Sequence, residues 1–123
     1  MRSVEDIFAE IEAAPDFYNR KIDSVNYKND YGDSPLHVVS NWGDCEAIHL
    51  LVEAGADINL KGERGYTPLH CAAEQNHFKA IKLLLILGAE IQLDDDGYSP
   101  LELAKLLENS EAMSALENTR KEA

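Results

Sequence analysis

Two histidines recur at one spacing and are the first candidates for chemistry. His37 and His70 lie 33 residues apart, and each ends a Ser/Thr-Pro-Leu-His phrase. Imidazoles can bind a metal ion when they and further ligands come within about 2 Å of one centre. If each phrase opens the same helix of a repeating unit, the two rings lie roughly 10 Å apart, the usual distance between packed helices. We therefore predict two structural histidines.

The remaining reactive residue types lack the patterns that chemistry requires. A calcium loop needs alternating oxygen ligands and a closing bidentate carboxylate, which the run Asp94–Asp96 does not supply. Cys71 lies beside Ala72 and Ala73, where we expect a buried and unreactive thiol. The segment 62–65 lacks the Lys-Ser/Thr of a phosphate-binding loop. We predict a protein that is not an enzyme, with no catalytic residue, no metal site and no cofactor.

The elements that carry these residues repeat along the chain. Pro35, Pro68 and Pro100 follow one another at intervals of 33 and 32 residues, and Gly55 and Gly88 are 33 residues apart. Pro is well tolerated at the first position of a helix, and Gly commonly ends one. A period of this length predicts stacked helical hairpins that bury their apolar faces against their neighbours.

Two repeated phrases resemble those of ankyrin-repeat proteins, over about residues 22–116. They are Ser34-Pro35-Leu36-His37 with its counterparts 67–70 and 99–102, and Gly55-Ala56-Asp57-Ile58-Asn59 with its counterpart 88–92. The chain is most similar to small stand-alone bacterial proteins of this family. The resemblance implies an all-α solenoid of stacked helix-turn-helix units joined by β-hairpin-like loops. It also implies a general protein-binding role, without naming a partner.

On this basis residues 1–123 form a single ankyrin-repeat domain in five segments. These are a degenerate N-terminal cap repeat (1–26), two full repeats (27–59 and 60–92), a C-terminal cap repeat (93–117) and a frayed tail (118–123). Helices are expected near 3–14, 34–40, 44–54, 68–73, 77–87, 99–107 and 110–116, with a short one over 16–21. Asn76 takes the place of Gly43 between paired helices, which suits a left-handed conformation. Glu102 replaces the phrase-ending histidine.

The charge balance is strongly acidic. The chain has 11 Lys and Arg against 23 Asp and Glu, which gives a net charge of −12. Nucleic acids and anionic membranes attract basic surfaces, so neither is expected as a partner. A basic protein would be attracted at long range. A soluble acidic surface without any such partner is the alternative explanation.

Cysteine usage and apolar content bear on the compartment. Two cysteines at different repeat positions suggest no disulfide framework, which fits a reducing compartment. The first residues lack the apolar run of a signal peptide. The longest apolar stretch, 83–87, is far too short to span a bilayer. We therefore predict a cytoplasmic protein.

The resemblance implies that a partner docks on a concave face, formed by the loop tips and the exposed sides of the first helices. The residues at those positions are Tyr31, Asp33, Asn41, Trp42, Glu63, Arg64, Tyr66, Glu74, Gln75, Asp95, Asp96 and Tyr98. Aromatic residues often dominate binding energy, and carboxylates select partners rich in Lys or Arg. Alternatively, a Tyr beside a loop Gly packs on the neighbouring loop and stiffens it.

These observations favour a non-catalytic module that binds one protein, possibly basic, and that is a monomer when free. Two other functions stay open. One is an immunity or antitoxin protein that inhibits a basic toxin, which net charge and resemblance to small bacterial proteins suggest. The other is a structural or oligomeric scaffold subunit.

Overall fold

The computed structural model describes residues 1–15 and 21–122, with side chains up to Glu117. The described residues contain seven α-helices and no β-strand. The helices are α1 (Val4–Glu12), α2 (Pro35–Trp42), α3 (Cys45–Glu53), α4 (Pro68–Glu74), α5 (Phe78–Ile86), α6 (Pro100–Leu106) and α7 (Ser110–Glu122), with a 3₁₀ turn at Glu63–Gly65. The short helix expected over 16–21 falls almost wholly outside the described residues.

Three helical hairpins stack in chain order: α2 with α3, α4 with α5, and α6 with α7. The first helices pack side by side as one layer, and the second helices form a layer behind them. Leu36 and Leu69, equivalent residues of adjacent repeats, are fully buried between the layers, as are Ile48 and Ile81. Burying each such side chain stabilises the fold by about 1.5–3 kcal/mol. Each repeat therefore relies on its neighbour for most of its core.

The turn between paired helices requires a left-handed residue. Gly43, Asn76 and Glu108 hold this place with φ values of 71°, 59° and 59°. The prediction that Asn76 replaces Gly43 is confirmed. Glycine takes this conformation without strain, and Asn takes it more readily than most other residues.

The phrase-ending histidines join each first helix to the next loop. The ring Nε2 of His37 donates to the Tyr66 carbonyl oxygen at 2.9 Å, and that of His70 donates to the Tyr98 carbonyl oxygen at 2.9 Å. Because a carbonyl oxygen can only accept, Nε2 carries the proton and Nδ1 is an acceptor. Nδ1 of His70 accepts from the Thr67 hydroxyl at 2.9 Å. The prediction of structural histidines is confirmed.

Glu102 keeps only half of this arrangement. Its backbone N–H donates to Ser99 Oγ at 3.1 Å, and its carboxylate accepts from the Ser99 N–H at 3.0 Å. A carboxylate has no N–H with which to reach a further loop. The exposed Glu102 therefore caps α6 and makes no bridge.

Each loop folds as a five-residue turn closed by one backbone hydrogen bond. The N–H of Asn29 donates to the Asp33 oxygen at 2.9 Å, and that of Asp94 donates to the Tyr98 oxygen at 2.8 Å. In the middle loop the N–H of Gly62 donates to the Tyr66 oxygen at 2.7 Å. These loops have the hairpin-like path that we expected, although none of their described residues forms a strand.

The first residue of each repeat's second helix reaches back to the preceding unit. His77 Nε2 donates to the Asn41 carbonyl oxygen at 2.9 Å. Asn109 Nδ2 donates to the carbonyl oxygens of Ala73 and Glu74 at 2.9 Å. These carbonyls lie at the C-terminal ends of α2 and α4, where no intrahelical partner exists. The next repeat therefore caps the preceding helix.

The N-terminal helix is tied to the first repeat through Arg2. Its guanidinium lies 2.6 Å from Asp44, 2.7 Å from Glu46 and 3.0 Å from Glu10. The hydrogen bond from Arg2 lowers the pKa of Asp44. This contact gives α1 the role of an N-terminal cap.

The C-terminal helix continues further than we expected. The repeat pattern ends near Leu116, and we predicted a frayed tail over 118–123, but α7 continues to Glu122. Residues 117–122 contain neither Gly nor Pro, and Arg, Lys and Glu favour helix. The prediction of a tail is therefore wrong for the backbone of residues 118–122, because helix propensity acts without any repeat motif.

Replacing Gly43 by Ala should destabilise the protein mainly by displacing His77. A Cβ atom at Gly43 would lie 2.7 Å from Cγ and Nδ1 of the His77 ring. We expect Gly43→Ala to lower the free energy of unfolding by about 2 kcal/mol or more, of which about 1 kcal/mol is the left-handed backbone. In a His77→Ala background only the backbone part should remain, so the coupling should be about 1 kcal/mol. Urea denaturation of the four proteins measures it. Equal losses in both backgrounds would show that the ring yields freely.

Stability should fall as the pH is lowered from 7.5 to 5.5. Burial lowers the pKa of His37 and of His70. The folded state then binds fewer protons than the unfolded state, so the contribution is complete above the unfolded pKa and is lost as the pH falls through the folded value. His70→Gln should weaken this dependence, whereas the exposed His49→Gln should leave it unchanged. Denaturation curves at the two pH values test this, and an unchanged dependence in His70→Gln would contradict it.

Candidate functional site

Eight of the twelve predicted partner-binding residues line two adjoining pockets. The loop face is defined as the loops at 27–33, 60–66 and 93–98 with the exposed sides of α2, α4 and α6. The Trp42 pocket, of about 360 Å³, is lined by Asn29, Tyr31, Asp33, Val38, Asn41, Trp42 and Glu63. The Tyr66 pocket, of about 50 Å³, is lined by Asp33, Asn41, Glu63, Arg64, Tyr66, Cys71 and Glu74. Asp33, Asn41 and Glu63 belong to both, so the two pockets form one continuous surface.

The Trp42 pocket is built by the first loop and the end of α2. Asn29 Oδ1 accepts from the backbone N–H groups of Tyr31 and Asp33 at 2.9 Å, which fixes the loop. Asp33 Oδ1 accepts from the Glu63 N–H at 3.0 Å and so joins the first loop to the second. Tyr31 and Trp42 keep 46% and 42% of their surface exposed. A rigid frame therefore holds two large aromatic side chains at the surface.

The Tyr66 pocket is filled by contacts within the chain. The Tyr66 hydroxyl donates to Glu74 at 3.1 Å, and its ring stacks on His70 with centroids 5.4 Å apart. The Arg64 guanidinium lies 5.3 Å from the Tyr66 ring centroid and 3.8 Å from the Glu74 carboxylate. Burial, followed by the Glu74 charge, raises the pKa of Tyr66 to about 12. Tyr66 therefore fits the alternative in which a loop tyrosine stiffens the repeat.

Four predicted residues, Gln75, Asp95, Asp96 and Tyr98, line neither pocket. The Asp95 N–H donates to the Arg64 carbonyl oxygen at 3.0 Å, which joins the third loop to the second. The N–H groups of Asp96 and Tyr98 both donate to Asp94 Oδ1 at 2.9 Å. Gln75 and Asp96 are exposed. These residues extend the loop face beyond the pockets.

Two residues that line the Trp42 pocket were absent from the predicted set. Val38 is a helix residue in the register of Cys71. Asn29 precedes Pro35 by six residues, as Asp94 precedes Pro100, and both fold their loops through the same side-chain oxygen. Comparing these loops by register would therefore have identified Asn29.

The charges and thiols of the face favour recognition over reaction. Among the described residues that line the two pockets, Arg64 is the only base, against the carboxylates of Asp33, Glu63 and Glu74. Burial raises the pKa of the Cys71 thiol well above its usual value, which keeps it protonated. In the part of the chain that the structure describes, no group of three or more His, Cys, Asp or Glu side chains could hold a metal ion.

Comparison with known proteins agrees with this architecture. A family model for ankyrin repeats, in three copies, matches residues 36–121. The match covers more than half of the chain, so this protein belongs to the ankyrin-repeat family. Ankyrin repeats generally mediate protein–protein interactions. No curated protein matches the chain.

The helices give one further finding. Within residues 1–15 and 21–122, no helix combines the length and the apolar content needed to cross a membrane.

Trp42 and Tyr66 should differ in what they contribute to folding. Trp42→Ala should lower the free energy of unfolding by about 1 kcal/mol, because much of the ring is already in solvent. Tyr66→Ala should lower it by about 3 kcal/mol, because it removes a stacked ring and leaves the Glu74 carboxylate without its donor. Urea denaturation followed by circular dichroism measures both. Similar losses would contradict the division into an open and a closed pocket.

Proposed function

We propose that this protein is a non-catalytic interaction module that binds a basic protein partner through its loop face. The observation that carries the proposal is the convergence of Tyr31, Trp42, Asp33 and Glu63 on one open pocket. Exposed aromatic side chains in a pocket contribute much of the binding energy of interfaces. Carboxylates around them favour a partner of opposite charge.

The overall charge supports the same partner. A net charge of −12 attracts a basic protein over distances longer than a contact, and it repels nucleic acid. Acids from all three loops add to this field, since Asp33, Glu63, Asp95 and Asp96 lie on successive loop tips. The association should therefore be fast at low salt and weaker at high salt.

The proposal extends to the state of the free protein. We infer a monomer in the cytoplasm that becomes part of a complex only with its partner. Both cysteines, Cys45 and Cys71, are free thiols, and a reducing compartment keeps them so. The charge itself opposes self-association, because like-charged surfaces repel.

A charge-neutralised loop face should lose its preference for basic ligands. Random twelve-residue peptides displayed on phage would be selected on the immobilised protein at about 50 mM and about 500 mM salt. The native protein should enrich peptides of net positive charge at low salt and far fewer at high salt. The face variant should lose the enrichment; it carries Asp33→Asn, Glu63→Gln, Glu74→Gln, Asp95→Asn and Asp96→Asn.

A matched variant separates the loop face from the net charge. It also removes five negative charges, all exposed and none lining the two pockets: Glu5→Gln, Asp23→Asn, Asp57→Asn, Glu90→Gln and Glu111→Gln. It should enrich basic peptides nearly as well as the native protein. Equal losses in both variants would mean that charge alone acts, and no enrichment by the native protein would remove the basic partner.

A further inference from the structure

The Trp42 pocket holds an arrangement that a general protein-binding role does not explain. Two aromatic rings, Tyr31 and Trp42, and two carboxylates, Asp33 and Glu63, line one space of about 360 Å³. This volume lies at the lower end of the range for ligand-binding pockets. None of the described residues that line the pocket is a base. The pocket is therefore suited to a single cationic group with a flat apolar surface.

The neighbouring Tyr66 pocket shows how the chain itself satisfies such an arrangement. There the guanidinium of Arg64 lies 5.3 Å from the Tyr66 ring centroid and 3.8 Å from the Glu74 carboxylate. An aromatic ring, a carboxylate and an arginine thus form one unit. The Trp42 pocket repeats the ring and the carboxylate, but the arginine is not among its lining residues.

Asn41 adds a hydrogen-bond acceptor to this pocket. Its side-chain Oδ1 is buried and has no hydrogen-bond partner among the described residues. An unpaired buried acceptor is unfavourable, so pairing it with a donor is a net gain. Because Asn41 lines the pocket, a rotation of its amide would present this oxygen to an N–H group there.

We propose that the Trp42 pocket receives one arginine side chain of the partner, an assignment that rests on the proposed function. A guanidinium stacks on Trp and Tyr rings, and its fork of N–H donors matches a carboxylate. It also has enough donors to reach the carboxylates of Asp33 and Glu63 and the Asn41 amide together. Lysine offers a compact, strongly hydrated charge without the planar surface. The pocket is therefore specific for arginine over lysine.

Three small probes test this on the intact protein. They are N-acetyl-arginine methylamide, its lysine counterpart, and its citrulline counterpart, which keeps the shape of arginine without the charge. Trp42 is the only tryptophan of the chain, so its fluorescence reports on this pocket alone. The arginine probe should give a saturable change with half-saturation at about 1–10 mM. The lysine probe should bind at least about threefold more weakly, and the citrulline probe at least about tenfold more weakly.

Paired variants identify the groups that hold the charge. Asp33→Asn with Glu63→Gln keeps an oxygen acceptor at each position, including the one that accepts from the Glu63 N–H. This pair should weaken arginine binding about tenfold. Asp57→Asn with Glu90→Gln removes the same charge outside the pocket and should leave binding unchanged. Circular dichroism confirms that all variants are folded.

The outcomes separate this assignment from the proposed function. No saturation by the arginine probe up to about 100 mM, or equal binding of the lysine probe, would overturn the arginine assignment. Equal weakening in both variant pairs would overturn it as well. Selection of basic peptides without binding of the arginine probe would leave the proposed function standing and remove the pocket. Binding of the probe without selection of basic peptides would leave the pocket standing and remove the wider face.

Discussion

One neutral imidazole at each repeat junction holds the loop face in place. His37 and His70 accept at Nδ1 from the residue that opens their own helix and donate from Nε2 to the following loop. Each ring is buried, so loss of either bond would leave a polar group without water. The loops that carry the acids are thereby fixed to the helical core. A surface that is ordered before binding loses less conformational entropy when a partner docks.

The repeat architecture could be predicted from the sequence because it depends on local rules. The Pro and Gly period marks the start and end of each hairpin, and the phrase-ending histidine has the same partners in both full repeats. Asn76 could be placed because few other residues adopt a left-handed conformation so readily. The end of α7 could not be placed, since helix propensity continues past the last repeat residue without a Gly or Pro to stop it.

The loop face was predictable as a region, but its division into an open and a closed pocket was not. Tyr31 and Tyr66 look alike in sequence, as each lies beside a loop glycine. Tyr66 is held by Glu74 and stacks on His70, whereas Tyr31 lies two residues further from its helix and lines the open pocket with Trp42. That difference arises from side-chain contacts between successive repeats. A single repeat's pattern contains no record of them.

The contact between Gly43 and His77 also has a consequence for how such a chain can evolve. At the first junction a bulky imidazole lies against a residue without a side chain. At the next junction Asn76 has a side chain, and the smaller Asn109 caps α4 in place of a histidine. Size at the turn and size at the following helix start therefore vary in opposite directions. Related sequences should show these two positions, about one repeat apart, changing together, so that repeats cannot be exchanged between junctions without also exchanging their neighbours' turns.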